Sequence, residues 1–273
     1  MKLLAVACAI VALLAPKPLD LAAGYVAGRQ QADGGFAEPG GQSDPSLTAW
    51  AVLGLASAKR SGVERAADYL AGKPAATTSD LALRIVALRA AGRPAPELVA
   101  RLQALRRPDG RIGPLVNSTI WGVLALRATQ RPAGTRTLKY LLRQQRPGGG
   151  WSWAPGGAPN SNDTAAAVQA LRAAGVSGKP LSRGLAYLRR LENRDGGFAL
   201  TPGRASDTQS TAWAIQAFAA AGRPAPRAAF RFLARMRRPD GSYRYSTRYV
   251  TTPVWVTAQV LPALAGKPFP LSP

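Results

Sequence analysis

Apolar positions recur along the chain with a helical period, and two kinds of helical segment alternate. In the first kind one face carries arginine and the other carries aliphatic or aromatic residues: Leu19–Gln31, Val63–Gly72, Pro96–Arg107, Thr135–Arg146, Leu181–Asn193 and Pro226–Arg238. In the second kind charge is almost absent and alanine is abundant: Ser46–Ala58, Ser79–Ala91, Asn117–Thr129, Asn162–Ala174, Thr208–Ala221 and Pro253–Ala265. A helix with one polar face can meet water along that face, whereas an uncharged one must be buried nearly all round. The alternation therefore predicts six helical hairpins with the Ala-rich helices inside, an all-α (α/α)6 toroid. An open solenoid would need polar capping repeats, and the last helix, VWVTAQVLPALAG, is too apolar to serve as one. Strand-like alternation is confined to Ser242–Val250, which reads as an extended loop.

The links repeat as well. YVAGRQQADGGF, YLLRQQRPGGGW, YLRRLENRDGGF and FLARMRRPDGSY share an aromatic–aliphatic pair, then a glycine, then an aromatic two places later. Asp33, Asp109, Asp195 and Asp240 each precede a glycine, which is strong turn chemistry. The return links end in Gly and Pro, as in AAGRPAP at Ala90–Pro96 and again at Ala220–Pro226, where Gly caps one helix and Pro opens the next. The second hairpin is short and lacks the glycine-aromatic turn near Gly72–Thr78.

Leu3–Ala15, behind Lys2, is too short to cross a bilayer and has the length of a secretory h-region. Residues 1–17 are therefore expected to be a signal peptide, residues 18–273 a single toroid domain, and the protein exported to the cell envelope or beyond. The only cysteine, Cys8, lies in that apolar run, and the chain has no histidine. Ser-His-Asp and Cys-His catalysis are thereby excluded, and with them nearly all zinc sites. No metal and no cofactor is expected. The formal charge is +22, from 36 basic and 14 acidic residues, which bears on partners rather than on fold. Arginine near the outer-helix C-termini complements the helix dipoles, and the excess suits an anionic envelope surface. No nucleic-acid module is present.

Tyr140-Leu141, Gln145, Gly149 and Trp151 resemble the QW motif of squalene cyclases, and Tyr25-Val26, Gln30, Gly34 and Phe36 match it with Phe for Trp. With DPSLTAWAVLGL (Asp44–Leu55) and DTQSTAWAIQAF (Asp207–Phe218), they make most of Leu19–Gly266 similar to the prenyltransferase and squalene-cyclase α/α-toroid superfamily. The resemblance implies the fold, but related toroids have many functions. Cyclases of this kind carry a D-x-D-D-T-A acid motif, which aligns with Asn160-Ser161-Asn162-Asp163-Thr164-Ala165. Its central acid corresponds to Asn162, and an amide cannot protonate an alkene. The Asp, Cys and His zinc site of the prenyltransferases and the thioester residues of other toroids are missing too.

The resemblance and the helix register together nominate a central cavity. Trp50, Trp121 and Trp213 fall at equivalent points of three inner helices and are expected to form an aromatic wall around an apolar, isoprenoid-like small molecule or lipid. Gln169 and Gln216 follow one turn later as candidate hydrogen-bonding groups, with Gln259 as a counterpart. Six inner-helix N-termini at one mouth favour an anionic head there, while capping aspartates and Asn117 weaken or redirect that field. Three readings stay open: a binder of an apolar molecule, a divergent terpene cyclase with Asp163 as its acid, and a cationic envelope-binding scaffold with a filled axis.

Overall fold

The computed structural model describes residues 17–271; residues 1–16, on which the signal-peptide expectation falls, lie outside the described residues. Outer helices α1 (Pro18–Ala27), α3 (Val63–Ala71), α5 (Pro96–Ala104), α7 (Thr135–Arg143), α9 (Lys179–Arg189) and α11 (Arg227–Met236) alternate with inner ones. The inner helices are α2 (Pro45–Ser57), α4 (Thr78–Ala90), α6 (Val116–Ala128), α8 (Ser161–Ala173), α10 (Thr208–Ala220) and α12 (Pro253–Ala265). Two short hairpins, β1 (Trp151–Ser152) with β2 (Pro159–Asn160) and β3 (Phe198–Ala199) with β4 (Ser206–Asp207), lie in the links before α8 and α10. The periodicity does not reveal them, because each strand is only two residues long.

Every inner helix packs on the next, and α12 packs back on α2, so the ring closes. At that joint Gly54 lets two backbones approach: a Cβ there would come 2.7 Å from the Ala258 carbonyl oxygen and 2.9 Å from Leu261 Cδ1. Glu38 spans the same joint, its carboxylate accepting from the N–H groups of Val254 and Trp255 at 2.9 Å each. A negative charge at the start of α12 suits the helix dipole.

The glycine-aromatic turns are what join neighbouring hairpins. Gly34 has φ +87°, and a Cβ on it would lie 2.6 Å from the carbonyl oxygen of Arg65, in the next outer helix. The equivalent glycines of four further turns face Arg136, Arg183, Ala228 and Leu21 in the same way; the last of these seats hairpin six on hairpin one. The apolar residue two places on is fully buried, and its N–H donates to a threonine of the following inner helix. The pairs are Phe36–Thr48, Ile112–Thr119, Trp151–Thr164, Phe198–Thr211 and Tyr243–Thr257, all at 2.8–3.1 Å. Gln30 and Gln145 donate both to their turn glycine and to the next hairpin, at Gly62 and Pro180.

The outer helices end earlier than the hydrophobic pattern suggests, because the chain leaves the helix to close each turn. Antiparallel bridges Gln30–Phe36, Arg106–Ile112, Glu192–Phe198 and Arg237–Tyr243 mark the departure. In the second hairpin, where that turn is missing, buried Arg84 of α4 donates to the carbonyls of Lys73 and Pro74 and so anchors the link. Burial pushes its guanidinium pKa down from the ordinary arginine value.

Candidate functional site

Near the start of all six inner helices, residues at i and i+4 face one axial cup of about 370 Å³, at the lower end of the size range of small-molecule sites. The pairs are Ser46/Trp50, Ser79/Leu83, Asn117/Trp121, Asn162/Ala166, Gln209/Trp213 and Trp255/Gln259. Side chains one turn apart on a helix lie one above the other, so the six pairs make two layers. The upper layer is mainly polar and includes Asp80 and Asp163; the lower is mainly apolar.

Trp50, Trp121 and Trp213 converge in that lower layer. Their ring centroids lie 5.4, 5.7 and 6.0 Å apart with planes at 83–87°, the edge-to-face geometry that aromatic quadrupoles favour. They form a floor across the axis rather than the expected wall around a central cavity. Phe269, from the segment after α12, packs beneath all three at 5.8–6.3 Å and fills the axis below.

Gln169 and Gln216 are not brought to the cup. They lie seven residues beyond Asn162 and Gln209, a further turn down, where both are buried under the tryptophans. Gln169 Oε1 accepts from the Phe269 N–H at 2.7 Å, and Gln216 Nε2 donates to the Gln259 carbonyl at 3.2 Å. Their role is to hold the C-terminal segment and α12 in place. Gln259 itself sits one turn nearer the mouth: its Oε1 accepts from Trp213 Nε1 at 2.7 Å and from Gln209 Nε2 at 2.9 Å. Its buried Nε2 has no partner among the described residues.

Asp163, 4 % exposed, lines the cup. Asn117 Nδ2 donates to its Oδ1 at 2.7 Å and Asn160 Nδ2 to its Oδ2 at 2.6 Å. Asn160 Oδ1 in turn accepts from the Asp163 N–H at 2.8 Å as the cap of α8, so this amide can only donate toward the carboxylate. Burial pushes the Asp163 pKa up from the ordinary aspartate value, and the two amides oppose that shift. Asn162 also faces the cup, and its Oδ1 accepts from the Ser161 hydroxyl.

The mouth is not the anion site expected from the helix dipoles. Capping groups already hold the first N–H groups: Asp44 for α2, Thr77 for α4, Asn160 for α8, Asp207 for α10 and Glu38 for α12. The links supply more, with the Trp153 carbonyl accepting from Asn117 and the Leu200 carbonyl from Ser161. No lysine or arginine lines the cup. Trp153 and Leu200, at the tips of the two short hairpins, are exposed on its rim. Among the described residues no cluster of acidic side chains has the geometry of a metal site.

Ser46, Ser79, Asp80, Gln209 and Trp255 belong to the cup but are not distinguished by residue type. Their signal is positional: each stands four residues before another lining residue or beside one that does.

A model of the family described as "Prenyltransferase alpha-alpha toroid domain" matches residues 1–80 and 117–241. No curated protein matches the chain. Among solved structures, a variant of the type II terpene cyclase MstE from Scytonema, in complex with geranylgeranyl dihydroxybenzoate as substrate, superposes with a TM-score of 0.73 at 16 % identity. That match covers 91 % of this chain and 96 % of the cyclase chain. A protein from Actinoplanes gives a TM-score of 0.69 at 20 % identity, covering 91 % and 98 % of the two chains. The ent-copalyl diphosphate synthase of Streptomyces platensis gives 0.59 at 22 % identity over 81 % of this chain and 50 % of its own. At these identities the likeness is one of fold.

Proposed function

The chain belongs to the prenyltransferase alpha-alpha toroid domain family, and from that premise we propose that its axial cup binds an apolar, isoprenoid-like molecule without cyclising it. The observation that carries this reading is the floor of three tryptophans meeting edge to face beneath a ring of polar side chains. Such a surface takes flat or branched hydrocarbon and offers its rim to a polar end. The related cyclase MstE, which holds a geranylgeranyl compound, is consistent with that ligand class. Asn162 stands where the cyclase motif has its proton donor, and the Asp163 oxygens both accept amide N–H groups. Both amide donors favour the charged form, so the hydrogen bonding supports a carboxylate rather than an acid.

One observation favours a second reading, a divergent isoprenoid-modifying enzyme: Asp163 lies on the cup wall and burial raises its pKa, as a general acid requires. The remaining proposals are export, from the apolar run near the N-terminus, and attachment of the +22 surface to an anionic envelope.

Native mass spectrometry of the purified protein is expected to find a co-purifying isoprenoid or lipid. Incubation with geranylgeraniol and geranylgeranyl diphosphate is expected to return both unchanged. Turnover of either that Asp163→Asn abolishes establishes the enzyme instead.

A further inference from the structure

The charge on the cup wall is opposite to that of the protein. The chain carries +22, yet the cup is lined by two aspartates and no basic residue. Asp80 and Asp163 make no ion pair among the described residues. Asp163 is nearly inaccessible to solvent, and its neighbours within hydrogen-bonding reach are neutral amides. The α8 dipole offsets part of the desolvation of Asp163, but buried charges are ordinarily paired and no side-chain cation does so here. Five of the six tryptophans, Trp50, Trp121, Trp153, Trp213 and Trp255, line the same space. Indole is the strongest aromatic partner for a cation, and aromatic cages with a nearby carboxylate recognise quaternary ammonium groups.

We infer that the ligand of the cup carries a cationic head, an alkylammonium on an apolar body, with Asp163 and Asp80 as its counter-charges and the tryptophans as its cage. This rests on the cup being a binding site, as proposed above, and it names the class of ligand. The two carboxylates stand in the first turns of α8 and α4, one turn above the tryptophan floor. An ammonium held between them sets its alkyl substituents on Trp50, Trp121 and Trp213. Its apolar chain leaves past Trp153 and Leu200 at the rim. The same wall disfavours a diphosphate or carboxylate head, which would face two aspartates with no cation to offset them.

A matched series tests this: decyltrimethylammonium, decanol and decanoate below their aggregation limits, titrated against the full chain at 150 mM salt. Intrinsic tryptophan emission reports on the cup, since five of six indoles line it. The ammonium compound is expected to bind at least tenfold more tightly than decanol, with decanoate weakest. In Asp163→Asn the ratio of the first two is expected to narrow fivefold or more; Asp163→Ser, smaller and also neutral, gives the same result if the amide substitution misfolds. Equal binding of ammonium and alcohol overturns the cationic-head inference and leaves the apolar-ligand reading standing. Tightest binding of decanoate overturns it too. If none of the three binds and geranylgeraniol does not either, both readings fall.

Discussion

A single methyl group placed on Gly54 tests whether the ring is closed by direct contact of first and last hairpins. Two glycine-to-alanine substitutions isolate the effect. At Gly24, exposed in the interior of α1, an added Cβ meets nothing within 4 Å. Gly24→Ala is expected to stabilise by about 0.5–1 kcal/mol, the ordinary helix-propensity gain. At Gly54 the same gain is opposed by contacts of 2.7 Å to the Ala258 carbonyl and 2.9 Å to Leu261 Cδ1. The first is a backbone atom of α12 and cannot rotate away, so the two helices must separate. Overpacking of this kind costs about 1–3 kcal/mol, which leaves Gly54→Ala destabilised by up to about 2.5 kcal/mol. In thermal unfolding followed by circular dichroism that is a fall of up to about 10 °C, set against a rise for Gly24→Ala. Gly122→Ala is also expected to destabilise, since its Cβ would meet Cδ1, Cγ2 and Cβ of buried Ile112 at 2.9, 3.0 and 3.2 Å, and only the first can swing clear. Amide exchange in α12 and α2 should quicken selectively in Gly54→Ala, because the strain is local to one joint. If Gly54→Ala matches Gly24→Ala in stability, the close approach of α2 to α12 is not what seals the ring.

Thr164→Val keeps the shape of the side chain but leaves the buried Trp151 N–H without its acceptor at 2.9 Å; urea unfolding is expected to show a loss of about 1–3 kcal/mol, and no loss means the repeated threonine contact is incidental. Asp207, the buried cap of α10, has its pKa pushed up to about 6 by burial, against an ordinary value of 3.8. The folded state therefore takes up its proton before the unfolded state does, and the stability this contributes is full below about pH 3 and lost as pH rises through 6. Relative to Asp207→Asn, whose amide still caps the helix, the wild type should gain roughly 2 kcal/mol between pH 6 and pH 4, out of about 3 kcal/mol in all; parallel stability–pH curves contradict the shift. Phe269→Ala removes the plug under the tryptophan floor and is expected to cost about 3 kcal/mol with a red shift of tryptophan emission, whereas unchanged emission would mean that the segment does not support the floor.

Ring topology is legible in this chain because it is a matter of burial, and burial is written in charge. A helix such as Thr208–Ala220, with no charged residue, has nowhere to sit but inside, and six Ala-rich segments with little or no charge, alternating with arginine-bearing ones, leave few arrangements. The role of the turns is legible for a related reason, since glycine and threonine recur at points where a Cβ or a lost hydroxyl would break a contact. The cup is legible only in part, because its members are defined by height along the axis as well as by the face they occupy. Trp213, Gln216 and Gln209 lie on one stripe of α10, and residue type alone does not say which of them stands above the floor. Height is set by the tail: Phe269 closes the axis from below and leaves Gln216 and Gln169 as supports while Gln209 stays at the mouth. The electrostatics of the cup are legible in part, since capping aspartates can be read at the inner-helix starts. Parallel helix N-termini suggest a positive mouth, but every cap that makes those helices start cleanly also occupies their N–H groups, and two of the acidic first-turn residues turn inward. Net charge does not describe the cup wall, where the charged side chains are Asp80 and Asp163 alone.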